Sequence, residues 1–301
     1  MQALIAAPET AGGFQFAEVP EPVPEPGQVL VEVRHASVNF GEVRYLGFQA
    51  AGAVLGYDAA GHVVQAADGA GPAVGDRVVA FGAGAWAPRA VFPVDSLAVV
   101  PDGLDLVEAA ALPMVGITAL RTLRAAGSLL GRRVLVTGAS GGVGRLAVQL
   151  GRLGGAHVVA SVGSAARGEG LRPLGAHEVV VGLDRIDEPV DVVLDTVGGD
   201  HLVAAWGLLR PGGTLQSIGW ASGEPAVFPP NSIFAPGPAK RLQSFGDASH
   251  PGPDLTVLLG LVATGAITVP VGWRDSWKRL DQAIEALLGR QVAGKAVIDI
   301  D

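Results

Sequence analysis

An apolar, β-branched run that breaks into a glycine turn and then into an amphipathic helical repeat constrains this chain more than any other stretch. Residues 133–150 read Arg-Val-Leu-Val-Thr-Gly-Ala-Ser-Gly-Gly-Val-Gly-Arg-Leu-Ala-Val-Gln-Leu. Val134 to Thr137 predicts a strand, and Val143, Leu146, Ala147 and Leu150 fall on one face of the helix that follows. Gly138, Gly141 and Gly144 give a GxxGxxG spacing, with Gly142 inside it. In a chain with 44 glycines the spacing alone carries little weight. The strand before it and the helix after it carry the inference, because strand, tight turn and helix N-terminus are what a dinucleotide pyrophosphate requires. Gly138, Ser140, Gly141, Gly142, Val143 and Gly144 are therefore the first candidate ligand-binding residues.

The rest of the chain has two periods. To about residue 100 the pattern is strand-like: Gln28–Val38, Val54–Ala66, Asp76–Phe81 and Val91–Val100, punctuated by Pro20–Gly27 and by the turn at 68–72. From Asp105 the period lengthens. Helical patterns at 106–112 and 114–126 flank Pro113, and strands then alternate with helices as far as Thr214–Ile218, with a short helix expected near 165–174. This βαβ alternation predicts a parallel sheet wrapped by helices. Helices are expected at 254–263 and 276–288, a loop at 229–238, and a closing strand at 296–300 that returns to the first domain. The fold class expected is α/β, in two domains: 1–105, completed by about 265–301, and 106–264.

Composition removes several function classes. The chain is 49% hydrophobic and 17% charged, which describes a packed globular protein. It has no cysteine, so disulfides, thiolate zinc sites and cysteine nucleophiles are excluded. A net charge of −8 argues against nucleic acid as a partner. No apolar run reaches membrane-spanning length unbroken, and Met1 to Ala7 lacks the pattern of a secretory signal. A cytoplasmic protein is expected.

Further short segments recur in order: Glu25-Pro26-Gly27-Gln28-Val29-Leu30-Val31, Ser37-Val38-Asn39-Phe40-Gly41-Glu42-Val43, Leu55-Gly56-Tyr57-Asp58, Val74-Gly75-Asp76-Arg77-Val78, Ala111 to Ala119, Asp195 to Gly199, Leu209 to Gly213 and Gly294-Lys295-Ala296-Val297. In this order and spacing the chain resembles the zinc-free medium-chain dehydrogenase/reductases, which include quinone oxidoreductases and the enoyl reductase domains of polyketide synthases. The resemblance implies a GroES-like β domain, a Rossmann-type doubly wound parallel sheet domain, a nicotinamide cofactor and a homodimer. Zinc-dependent relatives carry a Cys and a Gly-His-Glu where this chain has Val38-Asn39 and Gly56-Tyr57-Asp58, so no metal is expected.

An acidic residue about 20 residues beyond the glycine turn marks NAD binding. The corresponding segment here, Ala160 to Arg167, has none, and offers Ser161, Gly163, Ser164 and Arg167 instead. That set suits a 2′-phosphate, and NADPH is the cofactor expected. The resemblance adds Thr118 near the nicotinamide, and Thr196, Val197, Gly198, Ile218 and Gly219 at two strand ends. Without a metal to polarise it, the hydride acceptor has to be intrinsically electrophilic, such as a quinone or an activated alkene. An acyl intermediate of polyketide type is the alternative substrate, and a non-catalytic NADPH-binding sensor the alternative function. Asn39 is the candidate hydrogen-bond donor to the acceptor, and it equally suits a helix cap. The tyrosine proton donor of polyketide-type enoyl reductases is displaced here, with Tyr45 its candidate replacement. Phe40, Tyr57, Trp220, Phe234 and Trp273 are the candidate substrate wall.

Overall fold

The computed structural model describes residues 1–69, 71–234 and 236–301. Ala70, in the expected turn at 68–72, and Ala235, in the expected loop at 229–238, lie outside the described residues. The chain runs through β1 (Gln2–Ala6), β2 (Phe14–Glu18), β3 (Gln28–Val38), α1 (Phe40–Arg44), β4 (Asp58–Gln65), β5 (Arg77–Phe81), β6 (Arg89–Pro93), β7 (Leu97–Val99), α2 (Leu106–Ala110) and α3 (Pro113–Ala125). Next come β8 (Arg133–Val136), α4 (Gly142–Leu153), β9 (His157–Val162), β10 (Glu178–Val181), β11 (Val190–Asp195), α5 (Gly199–Leu208), β12 (Leu209–Ser217) and β13 (Arg241–Ser244). Then α6 (Gly252–Ala263), β14 (Val271–Ser276), α7 (Leu280–Leu288) and β15 (Lys295–Asp299) complete it.

Two compact units result, one of residues 1–117 with 248–301 and one of residues 118–247. In the first, β14, β15, β3, β4, β5 and β7 form one sheet in that order, with β6 also paired to β3. The alternation of Val29, Val31 and Val33 turns one face of β3 inward, as a period of two requires. The closing strand does return: β15 pairs antiparallel with β3, Ala296 opposite Val38 and Asp299 opposite His35. The core of this unit holds Leu4, Trp86, Phe92, Trp277 and Ile298.

The second unit is a six-stranded sheet ordered β10-β9-β8-β11-β12-β13, parallel throughout. Counted from β8 this is the order 3-2-1-4-5-6 of a doubly wound dinucleotide fold. Helix α4 packs on β8 and β9, and α5 on β11 and β12. Leu135, Val159, Val193, Leu202 and Leu215 are among its buried core.

The boundaries differ from those expected at 106 and 264. Helix α2 packs on β3, β4 and β5, and α6 on β7, so both belong to the first unit. Helical period alone does not say against which sheet a helix is buried. The short helix expected near 165–174 is a single 3₁₀ turn at Ala166–Gly168.

Candidate functional site

Four adjacent strands of the second unit end at the residues singled out for the cofactor. The glycine turn follows β8, Ser161 to Arg167 closes β9, Thr196 to Gly198 follows β11, and Ile218-Gly219 follows β12. Parallel register aligns these ends, with Val136 opposite Ala160 and Leu194, and Asp195 opposite Ser217. Backbone bonds join the loops: Ala139 N–H donates to the Ser161 carbonyl at 3.0 Å, Thr137 N–H to that of Leu194 at 3.0 Å, and Ile218 N–H to that of Asp195 at 2.8 Å.

The glycines of the turn have separate reasons. Gly138 sits at φ +61, where a Cβ would also meet Thr196 Oγ1 at 2.3 Å. At Gly144 a Cβ would lie 2.5 Å from Ala139 Cα, so the helix could not approach the turn. Gly141 is different: a Cβ there would meet only the Gly138 carbonyl oxygen, at 3.5 Å. It stands at the N-cap of α4 with no side-chain cap, so the open face lies where the first-turn N–H groups and the positive helix end favour an anion. The turn therefore fits a pyrophosphate.

Side chains beneath the loops fix their shape. Asp195 is fully buried, accepting from Thr137 Oγ1 at 2.6 Å and from Gly198 N–H at 2.8 Å. Burial pushes its carboxyl above the usual range, against the pull of these bonds. The Thr196 hydroxyl donates to the Thr137 carbonyl at 2.9 Å, and that of Ser161 to the Gly182 carbonyl at 2.8 Å. The hydroxyls of Thr196 and Ser161, expected to face the cofactor, donate their protons to the protein. Ser140 is buried, and its carbonyl accepts from Arg145 Nε at 3.1 Å. Gly163 and Ser164 are exposed, Arg167 is half-buried, and Thr118 is buried on α3.

The first unit holds a second polar constellation, entirely inside it. Asp58, at the start of β4, is fully buried, as is Ser37 at the end of β3; Asn39 and Lys295 are nearly so. Asp58 Oδ2 accepts from Ser37 Oγ at 2.6 Å, Asn39 Nδ2 at 2.9 Å and Lys295 Nζ at 3.2 Å. Its Oδ1 accepts from Met114 N–H at 3.0 Å, at the N-terminal end of α3. Lys295 also donates to Asn39 Oδ1. Asn39 does sit at the N-cap of α1. Its side chain holds Asp58 and Lys295 together, donating from Nδ2 to the first and accepting on Oδ1 from the second.

Beside this cluster stands Glu42. Its Oε2 accepts from Asn39 N–H at 2.7 Å, and its Oε1 is buried without a hydrogen-bond partner. Burial, then the nearby Asp58 carboxylate, raise its pKa to about 8, against the opposing pull of Lys295 and of hydrogen bonds from Asn39. At neutral pH it is a carboxylic acid. Glu42 also lines a cavity of about 90 Å³ with Leu46, Gln49, Leu55, Tyr57 and Trp86. Sequence reading passed over both Glu42 and Lys295. An N-cap Asn followed three residues later by Glu is a capping signature, and a lysine opening an apolar strand is out of place; either would have flagged them.

Of the expected substrate wall, Phe40, Tyr57 and Trp273 belong to the first unit, as do Asn39 and Tyr45, and Trp220 and Phe234 belong to the second. Trp273 is partly buried and packs on the first unit's core. Tyr45 is 45% exposed and pairs with Phe48, and Phe40 is half-buried. Tyr57 stacks on Phe81, 6.0 Å between centroids. Trp220 donates its indole N–H to the Glu224 carbonyl at 2.5 Å, and Phe234 is 77% exposed. Among the described residues no three His, Asp or Glu side chains group as a metal site, and no helix is long and apolar enough to cross a membrane.

Residues 25–102 match the family described as the alcohol dehydrogenase GroES-like domain, and residues 142–246 the one described as zinc-binding dehydrogenase. The chain is 33% identical over 292 residues to the polyketide synthase GfsB of Streptomyces halstedii, across 92% of this chain and 5% of that protein. It corresponds to between 5% and 11% of the length of the first curated relatives, seven of the eight of which are named as polyketide synthase proteins. A mycobacterial protein solved in complex with NADPH is 25% identical and superposes with a TM-score of 0.90 over 100% of both chains. A 2-haloacrylate reductase is 26% identical, with a TM-score of 0.83 over 100% of both. One match lies within each folded unit, and the chain belongs to the medium-chain dehydrogenase/reductase superfamily.

Proposed function

We propose that this chain is an NADPH-dependent, zinc-independent reductase of quinones or α,β-unsaturated carbonyl compounds. The observation that carries the reading is the alignment of four strand-end loops around a glycine turn whose open position, Gly141, lies at a helix N-terminus. Gly141, Gly142 and Val143 would hold the pyrophosphate on their backbone, and Ser164 and Arg167 the 2′-phosphate, from a segment, Ala160 to Arg167, that carries no acidic residue. Thr118, Thr196, Val197, Gly198, Ile218 and Gly219 would border the ribose and nicotinamide. The bound cofactor supplies hydride. The acceptor oxygen then needs only hydrogen-bond donors and a proton, since among the described residues no group of ligands is arranged for a Lewis acid. The NADPH complex of one neighbour and the 2-haloacrylate reductase among the others support this reading.

Loss of NADPH absorbance with purified protein tests it, against NADH and across quinones, free enones and enoyl thioesters. Turnover with NADPH preferred is the expected result; an inert protein, or one that prefers NADH, overturns it. The polyketide synthases among the curated relatives favour a second reading, reduction of a carrier-bound enoyl thioester. Turnover confined to thioesters selects that one. A non-catalytic sensor would bind NADPH and oxidise none. The proposed homodimer would form through β13, an edge strand exposed at all four residues. Light scattering at two masses per particle tests it.

A further inference from the structure

We propose that Glu42 is the proton donor of this reductase, taking the carbonyl oxygen of an α,β-unsaturated substrate on its Oε1 in the small cavity that it lines with Trp86. The inference rests on the reductase reading above. Three observations of the first unit lead to it. Glu42 Oε2 is occupied by the Asn39 N–H, so the acid's proton belongs on Oε1. That atom is buried and makes no hydrogen bond, which is costly unless a ligand completes it. The third is the cavity itself, which Glu42 lines among Leu46, Leu55 and Trp86. Its volume of about 90 Å³ admits a carbonyl and a short substituent and little more.

The chemistry balances. Bound NADPH would supply hydride to the β-carbon, its own C–H bond breaking as it is oxidised to NADP⁺. The C=C pair would shift into the bond to the carbonyl carbon and the C=O π pair onto the oxygen. The Glu42 Oε1–H bond breaks and its proton bonds that oxygen. The resulting enol tautomerises to the saturated carbonyl compound, and the carboxylate regains a proton from solvent. Two charges act on Glu42: Asp58 from β4 opposes ionisation, and Lys295 from β15 stabilises the carboxylate once the proton has left. Asp281 and Glu285 of α7, which packs on α1, are exposed. A donor held neutral at pH 7 and ionising near pH 8 is poised for this task.

The test compares wild type with Glu42→Gln and Glu42→Ala, using NADPH and a simple cyclic enone. Gln still accepts from Asn39 and donates an amide N–H into the cavity, but has no proton to transfer. Its KM is expected to stay within about threefold while kcat falls by about 100-fold; in Glu42→Ala, KM rises as well. The wild-type kcat should decline as pH rises through about 8, and Glu42→Gln should lose that limb. NADPH affinity, read by fluorescence quenching, should be unchanged in both variants and attests that they fold. An active wild type with an unaffected Glu42→Gln overturns the proposal alone. A wild type that reduces no acceptor removes the reductase reading and this proposal with it. If Glu42→Gln does not fold, carboxyl-carbon NMR of the wild type decides: a Glu42 resonance titrating in the ordinary carboxylate range overturns the proposal.

Discussion

Asp58 is an anion that the fold has answered four times over, from β3, from the start of α1, from α3 and from β15. Removing one partner of a buried pair leaves an uncompensated charge, whereas removing both need not. Lys295→Met should therefore cost about 3–5 kcal/mol of unfolding free energy. The double variant Asp58→Asn/Lys295→Met should recover much of that loss, and denaturant unfolding of the cycle checks both. Glu42 carries the opposite sign. Its folded pKa, about 8, lies above the ordinary value of 4.5, so the folded state binds the extra proton between those values. Its contribution is fully present below about pH 4.5 and is lost as pH rises to 8. Relative to Glu42→Gln, the wild type should weaken across that window by an amount on the order of a few kcal/mol. A difference that stays flat between pH 5 and about 8 would place the carboxylate in solvent.

The glycine turn shows what a sequence discloses about an element. Strand, turn and helix were readable because each leaves its own period, and the register of the parallel strands then brings the loops into line. Gly144→Ala puts a methyl against the backbone of Ala139, with no flexible side chain to give way. NADPH binding should fall at least tenfold, about 1.4 kcal/mol, as fluorescence titration would show. Arg167→Ala tests the adjacent loop, and should weaken NADPH while leaving NADH within about twofold, since the two cofactors differ by one phosphate. Other elements left weaker traces. The β1–β2 hairpin carries no two-residue glycine turn, β13 is four exposed residues, and β14 follows a Gly/Pro segment. The polar cluster was legible only in pieces: Asn39, Asp58 and Lys295 stood in three recognisable segments. Their meeting is set by the pairing of β15 with β3 and of β3 with β4, which no local period encodes.

At the scale of the whole molecule, the second unit is one continuous stretch and the first is not. Residues 295–301 supply the strand that borders β3 and the ammonium of Lys295 that the buried Asp58 meets. Deleting them should expose residues 1–117 to protease while 118–247 stays resistant, more so with NADPH, since a ligand stabilises what binds it. Mass spectrometry of the fragments reads the outcome, and an unchanged cleavage pattern would sink the idea. The same arrangement sets a timetable on the ribosome. All the strands of the parallel sheet have been made before β15 exists, so that sheet can assemble while the chain is still growing. The N-terminal sheet waits for β15 to emerge, holding until then an unpaired edge on β3 and a buried carboxylate without the ammonium of Lys295. A newborn chain is most exposed to mispairing or to chaperone capture along β3, and that hazard ends with the arrival of five residues.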